Sequence, residues 1–206
     1  MKYKNFLNQE AVPIKKMTND HRTRVTQMLI RKAFTELMNQ KPIESITIAE
    51  LCKRANINRS TFYNHYTDIY DLRDRMEGDL KLEFYQALKT ILVDEPVTNT
   101  PVKITAKLFE CIQKNSDMCS VILGNYGDKK FLEELIQTGR EFVMKSYHIY
   151  FVNASPKQIE YFYAFVSSGI VGLLQKWLND DLTTSPEEIA TMAESLMLQG
   201  AGYLKQ

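Results

Sequence analysis

An all-α fold is expected for this chain of 206 residues. Apolar residues recur with a period near 3.6, and no segment alternates apolar with polar between turn residues as a half-buried strand would. Only 8 Gly and 6 Pro occur, too few for a collagen-like repeat, a Gly/Ser linker or a loop-dominated secreted fold. Helix starts are also punctuated. Thr47 with Glu50, Ser155 with Gln158, and Ser185 with Glu188 each fit a capping box, in which a hydroxyl and a later side chain satisfy orphan backbone N–H groups.

The elements follow in order. An amphipathic first helix is expected over Asp20–Asn39, carrying Ala33, Phe34 and Leu37, after a basic arm of residues 1–19. Thr47 opens a short helix over Ile48–Ala55; after a break at Asn56, Ile57 and Asn58, a second short helix covers Arg59–Tyr66. A long helix over Ile69–Leu92 leads to a connector, Val93–Thr100, with Pro96 and Asn99. Apolar periodicity then resumes over Pro101–Asn115, Asp117–Leu123 and Lys129–Phe151. The last two helices, Pro156–Asn179 and Pro186–Leu204, begin with proline at the first helical position, where a missing N–H does no harm.

Composition narrows the function. The chain is 44% hydrophobic and 25% charged, the profile of a soluble globular protein. Its net charge of +1 hides a segregation: residues 1–66 hold 12 Lys/Arg against 5 Asp/Glu, a balance of +7, which leaves −6 for residues 67–206. A basic patch attracts phosphate by releasing counterions, so the first third is where a polyanion would bind. Cys52, Cys111 and Cys119 make an odd count without CxxC spacing, so reduced thiols in a cytoplasmic protein are expected. Residues 1–19 lack the apolar core of a secretory signal, and the uncharged run Tyr161–Gln175 has 15 residues where a membrane span needs about 20. No membrane association is expected.

Residues 47–66, TIAELCKRANINRSTFYNHY, form a helix-turn-helix pattern. Ala55, Leu51, Ile57 and Phe62 can close the corner, and Asn56 stands where the chain must reverse and φ can turn positive, a conformation that suits Gly best and Asn next. On the second helix, Phe62 and Tyr66 face inward one turn apart, while Ser60, Tyr63 and Asn64 face outward, with Arg59 and Thr61 near its start and His65 on the flank. Arg can fork onto guanine, Asn onto adenine, Ser and Thr onto either, and Tyr and His can reach phosphate. Lys53 and Arg54 add positive field, and the helix starts at Thr47 and Asn58 would aim free N–H groups at the DNA backbone. Helix-turn-helix shapes also occur in helical proteins that never touch DNA; the +7 balance is what favours double-stranded DNA as the partner.

Residues 25–72 resemble the DNA-binding domain of the TetR family of bacterial transcriptional regulators, through the first helix, SITIAELCKRANINRSTFYNHY and DIYDL; RSTFYNHY is the most diagnostic stretch. The resemblance implies phosphate contacts from Thr47, Tyr63 and His65 and base reading by Arg59, Ser60, Thr61 and Asn64, within a DNA-binding domain over 20–75 and a regulatory and dimerisation domain over 76–206. The sequence departs from the family at two places: Asn56 replaces the usual turn glycine, and Ile69 replaces a lysine that contacts phosphate. The second change should weaken binding about equally for all DNA sequences and flatten its salt dependence.

Beyond residue 76, the segment GIVGLLQKWLNDDLTTSPEEIA resembles the corresponding region of a TetR subgroup that contains the activator of dihydroxyacetone kinase operons. Phe165, Gly169, Leu173 and Trp177 on the penultimate helix, and Ile189, Met192, Leu196 and Tyr203 on the last, are expected at a homodimer interface; the alternative is that both stripes pack within one chain. A two-fold partner would set two recognition helices about 34 Å apart on one face of DNA. Phe84, Phe109, Met118, Phe131, Phe142, Tyr147 and Tyr163 could line an effector pocket, with Cys119, though any helical core buries such residues.

The sequence contains no GxGxxG, GKS, GKT, HExxH or GxSxG motif, and His21, His65 and His148 are scattered. No enzymatic activity, metal or cofactor is expected. Two functions remain: an effector-responsive repressor acting as a homodimer on a palindromic operator, and a coactivator or protein-interaction module with weak DNA binding of its own.

Overall fold

The computed structural model describes residues 14–90 and 101–200, with side chains described throughout except at 14–20, 101–104, 141–142, 145–146 and 149–150. Every regular element among the described residues is helical: α1 (Ile14–Met38), a 3-10 turn (Ile43–Ser45), α2 (Ile48–Ala55), α3 (Arg59–Tyr63), α4 (Ile69–Lys89), α5 (Pro101–Lys114), α6 (Ser116–Ile122), α7 (Lys129–Tyr150), α8 (Pro156–Asn179) and α9 (Pro186–Gln199). None of these helices is long and apolar enough to cross a membrane.

Among the described residues two expected bounds change by more than one residue, while the expected helix ends at Leu92 and Leu204 and the connector 93–100 lie outside the described residues. α1 starts at Ile14 rather than Asp20, inside the stretch assigned to a basic arm, because after Pro13 nothing resists the helix and Lys15, Lys16 and Met17 are strong helix formers. α3 ends at Tyr63; beyond it the His65 and Tyr66 N–H groups both donate to the Phe62 carbonyl, which tightens the last turn.

The helix starts behave as short-range chemistry dictates, with one exception. Ser155 with Gln158, and Ser185 with Glu188, each form both halves of the capping box. Thr47 accepts from the Glu50 N–H at 3.2 Å, but the Glu50 carboxylate turns away to accept from Lys41 Nζ at 2.6 Å. A full charge is a stronger partner than a backbone N–H. Asp68 and Asp128 cap α4 and α7 in the same way.

Two cores follow from the apolar stripes. The first joins Ile30, Phe34 and Leu37 of α1 to Leu51 of α2 and Phe62 of α3, then continues along Leu72, Met76 and Leu80 of α4 into Met118 and Ile122 of α6 and Phe131 of α7. The second packs Phe109 of α5 and Trp177 of α8 against Ile189, Ala190 and Ala193 of α9. Burying each large side chain stabilises the fold by about 1.5–3 kcal/mol. Trp177 also donates from Nε1 to the Thr184 carbonyl at 2.8 Å, so its one polar atom is satisfied. After α6 the chain doubles back so tightly that a Cβ on Gly127 would lie 2.1 Å from the Ile122 carbonyl oxygen, which admits only glycine.

Glu77 sits half-buried on α4, which packs against α7. Burial pushes its carboxyl up to about 7; Arg73 opposes the shift, while Asp128, Asp74 and Glu134 reinforce it. A carboxyl with a folded pKa above its unfolded value stabilises the fold below the unfolded value, and that contribution is lost as pH rises through the folded one. Glu77→Gln should therefore have a higher urea midpoint than the native chain at pH 8, with the difference closing as pH falls to about 5. A difference independent of pH would contradict this.

Candidate nucleic-acid interface and effector cavity

The α2–α3 corner positions a polar flank over an apolar base. Asn56 takes the left-handed conformation, φ 54° and ψ 47°, and the Ile57 N–H reaches back to the Cys52 carbonyl at 3.0 Å, closing the end of α2. Asn58 takes the N-cap position of α3 with extended backbone but forms no side-chain cap. Phe62 is fully buried against Tyr66, ring centroids 5.6 Å apart. That anchor turns Arg59, Ser60, Tyr63 and Asn64 to solvent, Tyr63 at 55% exposure, and leaves Thr61 and His65 half-buried on the flank. Among the described residues, the side chains of Arg59, Ser60, Thr61, Tyr63 and Asn64 make no hydrogen bond within the chain.

The surrounding cations are unequal. Lys53 is exposed, whereas Arg54 forms an ion pair with Glu36 of α1 at 3.3 Å. At the start of α4, Ile69 is only 7% exposed and belongs to the first core, so an apolar anchor stands where the family resemblance leads one to expect a lysine.

A cavity of about 490 Å³ lies among α4 to α9, within the range of small-molecule sites. Phe84, Phe109, Tyr147 and Tyr163 line it with Cys119, whereas Met118 and Phe131 pack into the first core instead. The side chain of Phe142 lies outside the described residues. Burial raises the Cys119 thiol and the Tyr147 and Tyr163 phenols, each to about 12, so all three are neutral at pH 7.

On α8 and α9 the two apolar stripes divide. Trp177 and Ile189, expected at a subunit contact, are buried inside the chain at 2% and 5% exposure; their area is already removed from water and cannot drive association. Leu173 packs on the same core. Phe165 at 72%, Gly169, Met192 and Leu196 remain exposed, beside Tyr161 at 70%. Tyr203 lies outside the described residues.

A polar joint connects the first core to the cavity wall. Arg31 of α1 donates from Nε and Nη2 to the two carboxylate oxygens of Asp117 in α6 at 2.8 and 2.9 Å, and from Nη2 to Asn115 Oδ1 at 3.0 Å. Asn115, 4% exposed, donates in turn to Glu83 of α4 at 3.0 Å. Burial pushes the Asp117 carboxyl up, but the bonds and charge of Arg31 outweigh it and hold it below the usual range. Sequence spacing gives no hint of a pair 86 residues apart; the only local signal is that Arg31 stands one turn before buried Thr35 on α1.

Comparison with known proteins decides the family. The profile described as "Bacterial regulatory proteins, tetR family" matches residues 30–76, and one described as "Transcriptional regulator C-terminal region" matches residues 99–199. The chain belongs to the TetR family. An uncharacterised helix-turn-helix transcriptional regulator, YxbF of Bacillus subtilis, is 20% identical over 176 residues, which is 84% of this chain but 45% of that protein, so the chain spans about half the length of that curated relative. Among solved structures, the regulator FadR of Bacillus subtilis in complex with stearoyl-CoA superposes with TM-score 0.60 and 12% identity, over 84% of this chain and 98% of that one. The dihydroxyacetone kinase operon activator DhaS superposes with TM-score 0.51 and 18% identity, over 84% and 94%. Both likenesses are of fold. Within this fold the Arg31–Asp117 joint ties α1, which packs on α2 of the helix-turn-helix, to α6, which lines the cavity.

Removing one partner from that joint leaves the other half-buried without its ionic partner. Arg31→Met and Asp117→Asn should each lower stability in urea unfolding by about 1–3 kcal/mol, and the double variant should lose less than the sum of the two. Strict additivity would show that the pair is not coupled.

Proposed function

We propose that this TetR-family regulator binds a palindromic operator as a homodimer and represses transcription until an effector enters the α4–α9 cavity. The observation that carries the reading is the polar flank of α3: Arg59, Ser60, Thr61, Tyr63 and Asn64 have no side-chain hydrogen bond among the described residues, above a buried Phe62. Thr47, Lys53, Arg54 and His65 surround that flank and serve as phosphate contacts in this reading. The cavity supports an effector, because α6 presents Cys119 and Ile122 to it while gripping α1 through Asp117. A ligand that shifts α6 changes the seat of α1 and with it the spacing of the recognition helices. It can do so only by binding one arrangement better than the other.

A coactivator with weak DNA binding of its own is the second reading, favoured by buried Ile69 and by the Arg54–Glu36 pair, which together remove cationic contacts from the DNA face. Fluorescence anisotropy with DNA from upstream of the protein's own gene separates the two. The repressor reading expects specific binding that falls steeply with salt, with Arg59→Ala costing about 1–3 kcal/mol and Lys53→Ala reducing the salt slope by about one. No specific binding even at low salt favours the coactivator.

The exposed apolar face of α8 and α9 supports the dimer. Sedimentation of the native chain should give twice its 23.9 kDa, and Phe165→Asp should shift the population to the single-chain mass. A native chain that sediments at the single mass at micromolar concentration overturns the homodimer.

A further inference from the structure

Among the described residues, the cavity wall carries a charge of one sign only. Its tyrosine and serine hydroxyls are engaged within the chain: Tyr163 donates to the Ile136 carbonyl at 2.7 Å, Ser167 donates to the Ala164 carbonyl at 3.2 Å, and Tyr147 reaches Met197 Sδ at 3.8 Å. Glu194 of α9 differs. It lines the cavity between Ala193 and Met197, is half-buried, and has no hydrogen bond or ion pair among the described residues. No lysine, arginine or histidine is among the described lining residues.

These facts select among ligands. An apolar body gains from filling the cavity whatever its head group. A charged head, however, must exchange water for a partner, and an unpaired ion in such a site is strongly disfavoured. A carboxylate without a cation offers that partner only to a positive head; a carboxylate, sulfate or phosphate head would face like charge. The rings of Phe84, Phe109, Tyr147 and Tyr163 add faces on which a diffuse cation is stabilised. Resting on the effector reading above, we propose that the cavity selects amphiphilic organic monocations, protonated or quaternary amines on an apolar body, with Glu194 as their counter-ion.

Three probes of matched chain length test this on the full chain at pH 7: decyltrimethylammonium, decanol and decanoate, each below its micelle-forming concentration. Trp177, the only tryptophan, lies 5.3 Å from Phe109 of the cavity wall in an edge-on contact, so its fluorescence reports filling, with calorimetry as a second readout. The cation should bind at least about tenfold more tightly than either other probe. In Glu194→Gln its affinity should fall to that of decanol, with decanol unchanged, while Glu194→Asp keeps the preference; unchanged decanol binding also shows that the variants remain folded. Equal affinities for all three probes, or a cation preference that survives in Glu194→Gln, overturn the charge assignment and leave an apolar effector site. Failure of all three to bind overturns both the assignment and the effector reading.

Discussion

Arg31 reaches from the helix-turn-helix half of the chain to the cavity half, and the relation between the two depends on what it finds there. A guanidinium that is only partly in water must be paired, and Asp117 and Asn115 together take three of its donor bonds. Asp117 belongs to a helix of seven residues whose other face, through Cys119 and Ile122, is cavity wall. The wall and α1 are thus tied by a charge-assisted, bidentate contact, the strong and directional form of such a pair.

The apolar core supports the same continuity. Leu72, Met76 and Leu80 carry the first core along α4 from the helix-turn-helix into Met118, Ile122 and Phe131, so α4 is a shared wall and not a linker. That is why Met118 and Phe131, plausible pocket residues by type, serve packing at the junction. The second core, built on Trp177 and Phe109, holds α9 against α5 and closes the far side of the cavity.

Much of the α2–α3 corner was legible because it is made by residues close in sequence. The turn at Asn56, the caps at Thr47, Ser155 and Ser185, and the inward rings of Phe62 and Tyr66 each need only neighbours within one or two turns. Local chemistry gives way where a partner from another element competes. Lys41 takes the carboxylate of Glu50 from its capping box, and Glu36 takes part of the charge of Arg54. Part of the expected dimer stripe is claimed in the same way: Trp177 and Ile189 have the right period, yet they are packed with Phe109 of α5 within the chain, while Phe165, Met192 and Leu196 stay exposed.

From residue order alone come the helical class, the helix starts, the charge division between the two ends and the outward side chains of α3, since each is set by local sterics, hydrogen bonding and composition. Periodicity states that a face will be buried but not against what, because the hydrophobic effect has no direction and no memory of sequence distance. The pairing of Arg31 with Asp117, the burial of Ile69 and of Trp177, and the solitary carboxylate of Glu194 were therefore decided only in three dimensions. The cavity is the extreme case: it is a space that no residue encodes, left where six helices meet without filling the volume between them.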